Sequence, residues 1–350
     1  MPEPESTAWG KKPTQFFYDI TPDKVLTAVE SAGLVCTGRC IAMASMENRV
    51  YEVELDVESL DRKTLHTPSD RYRIAKFYRP GRWSEEQILE EHRFLLDLQE
   101  QEIPAIAPIV FEDGKTLKPV GDSGIWYALF PKVGGRSPDE LSDEQLTRLG
   151  RLQARIHNVG GAREAKTRLH LNPQTYGLGH LDYLLQNRIV PPEHERKFEA
   201  LVREICDLSA PWFAETKIQR IHGDCHFNNL LWNEKGPFFL DFDDMVNGPP
   251  VQDLWLMIPG VPSRDPEAKR QFEILLTAYE QMREFDHRSL RLIEPLRALR
   301  FVHFCAWMSK RWEDPAFPRA FPHYGTPKYW GELTQDLANQ RDMITRLANV

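Results

Sequence analysis

The sequence lacks any long apolar segment, and it has no basic stretch followed by an apolar one near residue 1. A membrane-spanning helix needs a run of about 18 or more apolar residues, and a secretory signal pairs basic residues with an apolar segment. Both absences predict a cytoplasmic protein without a membrane partner. Internal repeats and low-complexity tracts are missing as well, which argues against a repeat protein.

The sequence has few cysteines, and its basic residues are fewer than its acidic ones. The five cysteines are odd in number and mostly scattered, which predicts free thiols rather than a disulfide framework. Cys36 and Cys40 have the spacing to share a helical face, but no second ligand pair completes a zinc site. The net charge is −8. Because binding to a nucleic-acid backbone needs clustered Lys and Arg, we expect no nucleic-acid partner.

The chain has 350 residues, more than one hydrophobic core usually holds, and this length predicts two lobes. The first combines short β-rich segments with one helix. Ser84, followed three residues later by Gln87, forms a capping box that predicts a helix to about residue 101. Apolar alternation and short apolar runs predict strands, at residues 48–55, 71–78, 103–111 and 125–130.

The second lobe is predicted to be mostly helical. A capping box begins at Ser142, and apolar residues at helical spacing follow it as far as His157. Further helix-like stretches are residues 194–215, 267–284 and 289–312, and β-rich ones are 218–222, 230–233 and 237–241. The sequence therefore predicts an α+β protein with a small β-rich N-terminal lobe (residues 1–131) and a larger, mostly helical C-terminal lobe (residues 132–350).

The strongest candidates for catalytic and metal-binding residues lie in or just after one segment, His222-Gly-Asp-Cys-His-Phe-Asn-Asn229. Asp224 follows His222 by two positions, Asn229 follows Asp224 by five, and Asp241 ends a later apolar strand. Phosphoryl transfer uses such a set, because one carboxylate orients the attacking hydroxyl while an amide oxygen and a second carboxylate hold Mg²⁺ against nucleotide phosphates. We expect His222 itself to bond to the backbone of this loop.

This spacing is similar to the catalytic segment of aminoglycoside phosphotransferases and choline kinases, which are relatives of the protein kinases. The resemblance implies a two-lobed, protein-kinase-like fold with ATP as co-substrate and Mg²⁺ as cofactor. By motif position it implies that Asp224 is the catalytic base, Asn229 a metal ligand and Asp241 the principal metal aspartate. Asp243 would assist the metal or the geometry of the catalytic loop.

The resemblance also implies a lysine for the α- and β-phosphates, paired with a glutamate on a helix. Lys76 ends the run Arg-Ile-Ala-Lys within the second predicted strand and precedes the capped helix, so it is the candidate lysine. That helix offers Glu90 and Glu91. The spacing of Glu91 to the leucines that follow it favours Glu91 as the partner of Lys76.

The same resemblance predicts which residues contact the phosphates and which receive the adenine ring. Residues 44–51 occupy the place of the glycine-rich loop of kinases but contain no glycine, so phosphate contact falls to Ser45 and to backbone amides beside it. Residues 127–133 would be the hinge that receives adenine. Only 11 residues separate Asp241 from Asp253, too few for a phosphorylatable activation segment, and Asp253 is predicted to cap the next helix and brace the lobe.

Stretches along almost the whole chain resemble the bacterial stress response kinase A family. They are Lys76-Phe-Tyr-Arg-Pro-Gly-Arg-Trp83, Phe130-Pro-Lys-Val-Gly-Gly-Arg136 and Ile293-Glu-Pro-Leu-Arg-Ala-Leu-Arg300, among others. This resemblance implies a cytoplasmic serine/threonine protein kinase with a role in surviving stress, acting on a protein substrate. We expect a monomer.

Three alternatives stay open. A small-molecule kinase would use Trp307, Arg311 and Trp312 as part of an acceptor cleft. A haloacid-dehalogenase-like phosphatase would use the Asp-x-Asp pair that begins at Asp241, although Met245 stands where that motif has Thr. A pseudokinase that binds nucleotide without transfer would fit the glycine-free loop.

Overall fold

The structure is a computed structural model that describes residues 20–60, 63 and 65–349. These residues form two compact units. Unit 1 contains the described residues up to Asp139 together with Phe227–Asp243, and unit 2 contains Glu140–His226 and the described residues from Asp244 onward. The chain therefore leaves unit 2 after His226 and returns to it at Asp244.

Unit 1 is built on an antiparallel sheet with strand order β1-β2-β3-β5-β4. The strands are β1 Cys36–Ala42, β2 Arg49–Leu55, β3 Tyr72–Phe77, β4 Lys118–Pro119 and β5 Trp126–Pro131. The hairpin strands β7 Leu230–Asn233 and β8 Gly236–Phe239 and the helices α1 Pro22–Glu30 and α2 Glu85–Glu100 complete the unit. Alternate residues of β2 enter the core, where fully burying each apolar side chain is worth about 1.5–3 kcal/mol.

Helix α2 begins where its sequence predicts. The amide of Gln87 donates to the Ser84 hydroxyl (3.3 Å), and the Ser84 amide donates back to the Gln87 side chain (3.0 Å). This reciprocal pair satisfies two backbone donors that the first helical turn leaves open. The cap fixes the register of the helix, and Ile88, Glu91 and Leu95 then lie on its buried face.

Unit 2 is mostly helical, with one small two-stranded sheet formed by β6 and β9. Its helices are α3 Asp143–Gly161, α4 Gly179–Gln186, α5 Pro192–Glu215, α6 Val251–Leu256, α7 Pro266–Glu280, α8 Ile293–Lys310, α9 Ala316–Ala320 and α10 Pro327–Ala348, and its strands are β6 Gln219–Ile221 and β9 Val246–Gly248. Helix α3 crosses α7 closely at Gly150, where a Cβ would stand 2.2 Å from the Leu275 carbonyl oxygen.

Several sequence predictions need correction. The stretch 103–111 is not a strand, because Pro104 and Pro108 lack the backbone donors of a ladder. It makes an isolated bridge at Ala105, and the Ile109 amide donates to the Leu129 carbonyl of β5 (2.7 Å). Cys36 and Cys40 lie on strand β1, not on a helix. Among its described residues, unit 1 contains two α-helices, α1 and α2, where the sequence predicts one.

The helix at 289–312 also differs from the structure, and the predicted adenine hinge, which stays a prediction, lies mostly within a strand. Residues 127–131 belong to strand β5 and pair with β3, so only Lys132 and Val133 of the predicted hinge lie outside the sheet. A 3₁₀ segment, His287–Leu292, precedes α8, which starts at Ile293. The other predicted strands and helices are confirmed, with ends shifted by a few residues.

Two further predictions concern the state of the cysteines and the presence of membrane-spanning helices. All five cysteines lie in the described ranges as free thiols, as expected. No helix among the described residues combines the length and the apolar character needed to cross a bilayer.

Candidate active site

Lys76 is the centre of a buried charge cluster in unit 1. Its ammonium nitrogen lies 3.1 Å from a carboxylate oxygen of Glu91. The distances to carboxylate oxygens of Asp241 and Asp243 are 3.3 and 3.2 Å. Strand β3 places Lys76 between Val50 of β2 and Ala128 of β5, so its position in the sheet is fixed on both sides.

The electrostatics of this cluster keep Lys76 charged. Burial by itself lowers the pKa of the ammonium group, because a charge loses its hydration. The carboxylates of Asp243 and Glu91 outweigh that effect and hold the pKa of Lys76 well above its usual value. A permanently protonated lysine suits the binding of phosphate oxygens.

The choice between Glu90 and Glu91 is decided by burial and distance. Glu91 is buried and forms the ion pair with Lys76, whereas Glu90 is half-buried on α2. The structure thus brings together the lysine and the glutamate that the sequence favoured.

The hairpin of β7 and β8 brings the two candidate metal ligands to one end. Leu230 pairs with Phe239, and the Leu240 amide donates to the Asn229 carbonyl (2.7 Å), so Asn229 and Asp241 flank the open end of the hairpin. Asp241 has a positive φ of 55°, a conformation that is uncommon for a residue with a side chain. Its carboxylate is 54% exposed.

These donors fit a hard divalent cation. An amide oxygen and an exposed carboxylate oxygen are ligand types that Mg²⁺ accepts, and water and phosphate oxygens usually complete its octahedral shell. Within the described ranges, no group of three or more His, Cys, Asp and Glu side chains is placed to hold a metal by itself. A site of two protein donors completed by a nucleotide agrees with that finding.

Asp243 has a role that the sequence left open. It is buried, and it forms a short ion pair with Arg82 in addition to its contact with Lys76. Two cations therefore compensate one buried carboxylate. Asp241 is the exposed member of the Asp-x-Asp pair and is the one free to face a ligand from solvent.

Arg79 braces the glycine-free loop between β1 and β2. The Arg79 side chain donates to the backbone carbonyls of Glu47 (2.8 Å) and Met46 (3.2 Å), and it pairs with the Glu47 carboxylate (2.9 Å). The Arg79 amide donates to the buried Asn48 side chain (3.1 Å). Ser45 lies in this loop and is half-buried. Sequence patterns gave no sign of this brace, because its partners lie about 30 residues apart.

In unit 2, the carboxylate of Asp224 lies between Arg300 and His226. The Arg300 guanidinium donates to it at 2.8 Å, and the His226 ring nitrogen lies 3.1 Å away. Burial raises the pKa of Asp224, but Arg300 first and His226 second more than offset this, so the pKa lies far below its usual range. Asp224 is therefore an ionised hydrogen-bond acceptor at any physiological pH. Arg300 on helix α8 was not singled out as a site residue by the sequence.

Asp253 holds the loop that carries Asp224. Its carboxylate accepts the backbone amides of His222 (2.8 Å) and Gly223 (2.9 Å) and lies 3.1 Å from the His157 ring. The expectation that Asp253 caps a helix is wrong, because α6 starts at Val251 without a side-chain cap, while the bracing role is confirmed. The His222 ring accepts the Asp224 amide (3.3 Å), as predicted.

Gly223 is required by the tight turn of this loop. It has a φ of +84°, and a Cβ there would stand 2.3 Å from the Asp244 carbonyl oxygen. Both the backbone conformation and the close approach exclude a side chain.

Residues 45–293, well over half of the chain, match the sequence profile of the phosphotransferase enzyme family. The chain belongs to this family. Stress response kinase A of Escherichia coli (strain K12) is 36% identical over 336 residues, which cover 94% of both proteins. The serine/threonine protein kinase RdoA of Salmonella typhimurium is 35% identical over 338 residues, with the same coverage.

The solved structures agree on the fold of this phosphotransferase. An amicoumacin kinase in complex with AMP-PNP, Ca²⁺ and Ami aligns with a TM-score of 0.66 at 18% identity, covering 91% of this chain and 92% of that one. The predicted fold, a small β-sheet region with a mostly helical remainder in a kinase-like family, is confirmed. The phosphotransferase is a kinase.

Proposed function

We propose that this kinase uses ATP and Mg²⁺ to phosphorylate serine or threonine in a protein, within the cytoplasm and as a monomer. The observation that carries the proposal is the buried Lys76, held charged by Glu91 and Asp243. A lysine–glutamate pair of this kind is what kinases use to bind the nucleotide phosphates. The protein acceptor is supported by the relative named as a serine/threonine protein kinase, which matches 94% of this chain.

Five residues have proposed roles toward the nucleotide. Lys76 binds the α- and β-phosphates, and Glu91 orients the Lys76 side chain. The braced loop at Ser45 presents its hydroxyl and backbone amides to the phosphates. Asn229 and Asp241 hold Mg²⁺. When bound, this ion offsets the negative charge that gathers on the phosphate oxygens.

Asp224 is proposed to orient the acceptor hydroxyl. Its depressed pKa makes it a weak proton acceptor in the ground state, and this suits a loose transition state in which little covalent activation of the nucleophile is needed. The carboxylate accepts the hydroxyl hydrogen bond and aligns the oxygen for in-line attack on the γ-phosphorus. The proton transfers late to the Asp224 carboxylate, as the new P–O bond forms, the bond from the γ-phosphorus to the β,γ-bridging oxygen breaks and ADP leaves.

A small-molecule acceptor is the second candidate. The fold shared with the amicoumacin kinase supports it, but at 18% identity that likeness concerns the fold alone. The phosphatase alternative is not supported, because Asp241 follows an antiparallel hairpin instead of a strand of a parallel, doubly wound sheet.

The direct test is to incubate the purified kinase with γ-³²P-labelled ATP and a phosphatase-treated bacterial lysate. We expect label in proteins, recovered as phosphoserine or phosphothreonine, and about a hundredfold less label, or lower still, with Asp224→Asn. Label that enters only small molecules would overturn the protein acceptor. Release of free phosphate without ATP would overturn the kinase.

A further inference from the structure

Strand β1 carries a bulge between its two cysteines. From Cys36 to Cys40 the strand advances four residues, whereas its partner β2 advances only two, from Leu55 to Val53. The extra residues are taken up in the segment 37–39, where Gly38 has a φ of +93° and open space around the position of a Cβ. Glycine adopts that left-handed conformation without strain. The bulge therefore shortens the distance along the sheet between the two cysteines.

The bulge is anchored to one residue of β2, Glu54. The Thr37 hydroxyl donates to the Glu54 backbone carbonyl (3.4 Å) and lies 3.5 Å from its carboxylate. The Arg39 guanidinium lies 3.9 Å from the same carboxylate. The three residues between the cysteines are exposed. Contacts on both sides of Gly38 thus hold the extra residues on the outside of the sheet.

Both cysteine side chains lie on the core face of the sheet. Directly opposed residues of an antiparallel pair share a face, and Leu55 and Val53, the partners of Cys36 and Cys40, are fully buried in the core of unit 1. The two cysteines pack against that core and are half-buried. Because they stand opposite residues two apart on β2, their Cα atoms are separated by about 6.6 Å, instead of about 13 Å in a regular strand. Disulfides join Cα atoms about 4.4–6.8 Å apart.

The two thiols also respond to each other's charge. Burial raises the pKa of Cys36 to about 11, and the carboxylate of Glu30 and the thiolate of Cys40 add to that increase. Burial raises the pKa of Cys40 as well. A charge effect of one thiolate on the other thiol requires that the two sulfur atoms lie near each other. The other three cysteines are buried in unit 2, so the pair on β1 is the one that a reagent reaches from solvent.

We propose that Cys36 and Cys40 are a reversible redox site, at which a small-molecule disulfide such as oxidised glutathione converts the two thiols into an intrachain disulfide. One cysteine thiolate attacks a sulfur of oxidised glutathione, which gives a mixed disulfide and releases one glutathione. The second thiolate attacks the protein sulfur of the mixed disulfide and releases the other glutathione. The protein loses two electrons to oxidised glutathione, and its two thiol protons end on the two glutathione thiols.

The surroundings set when this reaction proceeds. Glutathione keeps most thiols reduced in a cytosol, so the pair stays a dithiol there until oxidised glutathione accumulates. The raised pKa values leave few thiolates at neutral pH, so exchange is slow there and becomes faster toward pH 8.5. Destabilised thiolates add little stability to the reduced form, which favours the disulfide at equilibrium. The inference is independent of the proposed protein kinase function, because neither ATP nor an acceptor takes part.

The test is to equilibrate the full chain at pH 8.5 with a large excess of oxidised over reduced glutathione, block the remaining thiols with N-ethylmaleimide in urea, and digest without reduction. Trypsin cleaves after Arg39, so Cys36 and Cys40 fall in separate peptides, residues 25–39 and 40–49. We expect most of the protein to give these peptides linked, at their summed mass less two hydrogen atoms, and dithiothreitol to separate them. The thermal midpoint should rise by a few degrees on oxidation, since the cross-link restricts the unfolded chain.

Two variants control for the geometry. Cys36→Ser lacks the second thiol and should keep one glutathione on Cys40. Cys40→Ser/Ile41→Cys has as many thiols as the wild type, but Ile41 is 43% exposed and is the next residue of the strand, so its side chain lies on the opposite face and no linked peptides are expected. Equal cross-linking in this variant would overturn the shared face. Free thiols, a glutathione on each cysteine, or cross-links between chains in the wild type would overturn the redox site.

Discussion

Among single residues, Asp243 is a buried carboxylate that depends on cationic partners. It is almost fully enclosed, and Arg82 and Lys76 are its cations. Arg82→Met should destabilise the protein by up to roughly 3–5 kcal/mol, because it removes one of the two cations of a buried carboxylate and leaves Asp243 with Lys76 alone, which Glu91 also engages. Urea unfolding measures the change.

Arg71→Met is the matched control for Arg82→Met. Arg71 also pairs with an acid, Glu54 (3.3 Å), but its side chain is exposed, so a loss within about 1 kcal/mol is expected. The double variant Arg82→Met/Asp243→Leu should recover much of the lost stability, since no buried charge then lacks a partner. Equal stability of Arg82→Met and wild type would show that Asp243 does not depend on Arg82.

Lys310 gives a pH-dependent prediction. Burial, with a smaller contribution from Arg311, lowers the pKa of Lys310 to about 7. Between this value and 10.5, its ordinary value, the unfolded chain holds a proton that the folded chain has lost, so stability rises with pH. The free energy of unfolding should rise less between pH 6.5 and 8.5 in Lys310→Met than in wild type. Lys269→Met, at an exposed position, should follow wild type.

Among the helices, the close crossing of α3 and α7 depends on the absence of a side chain at Gly150. A Cβ on Gly150 would overlap the Leu275 carbonyl oxygen, so Gly150→Ala should cost about 1–3 kcal/mol, since the helices must move apart. Gly331 lies inside α10 with no atom near its missing Cβ, and Gly331→Ala should be stabilising by up to about 1 kcal/mol. Thermal unfolding of both variants measures the difference, and a harmless Gly150→Ala would disprove the close crossing.

The glycine-free loop between β1 and β2 is a second element with a testable cause. Its order depends on Arg79, which binds two loop carbonyls and the Glu47 carboxylate. Arg79→Met should speed hydrogen exchange of residues 43–48, and the KM for ATP should rise roughly tenfold, because a mobile loop binds phosphate less well. Unchanged exchange in that segment would mean that the loop is ordered by its own backbone.

Local signals in the sequence were enough to predict most elements. The Ser84 capping box and the alternation in β2 place those elements within a residue or two, since both depend on neighbours in the chain. Strand β1 has mostly exposed residues and shows no apolar alternation, so nothing in its sequence indicated a strand. The apolar run that starts at Ile103 favours a strand by composition, but its prolines cannot donate to a ladder, and they prevent the strand.

At the scale of the whole molecule, the candidate catalytic and ligand-binding residues could be predicted where a motif fixes their spacing in the sequence. Asp224, Asn229 and Asp241 belong to one segment, and Lys76 and Glu91 are 15 residues apart on adjacent elements. Arg82 and Asp243 are 161 residues apart, and Arg300 and Asp224 are 76 apart. Pairings at such separations depend on the tertiary fold, and no periodicity or spacing rule reveals them.

The most direct test of the central claim is single-turnover transfer of the γ-phosphate from ATP to a serine peptide, in wild type and in Asp224→Asn. Loss of the carboxylate that orients the hydroxyl should slow transfer by about 10² to 10⁴ while ATP affinity stays the same. Transfer at the wild-type rate in Asp224→Asn would contradict this account of the catalytic segment.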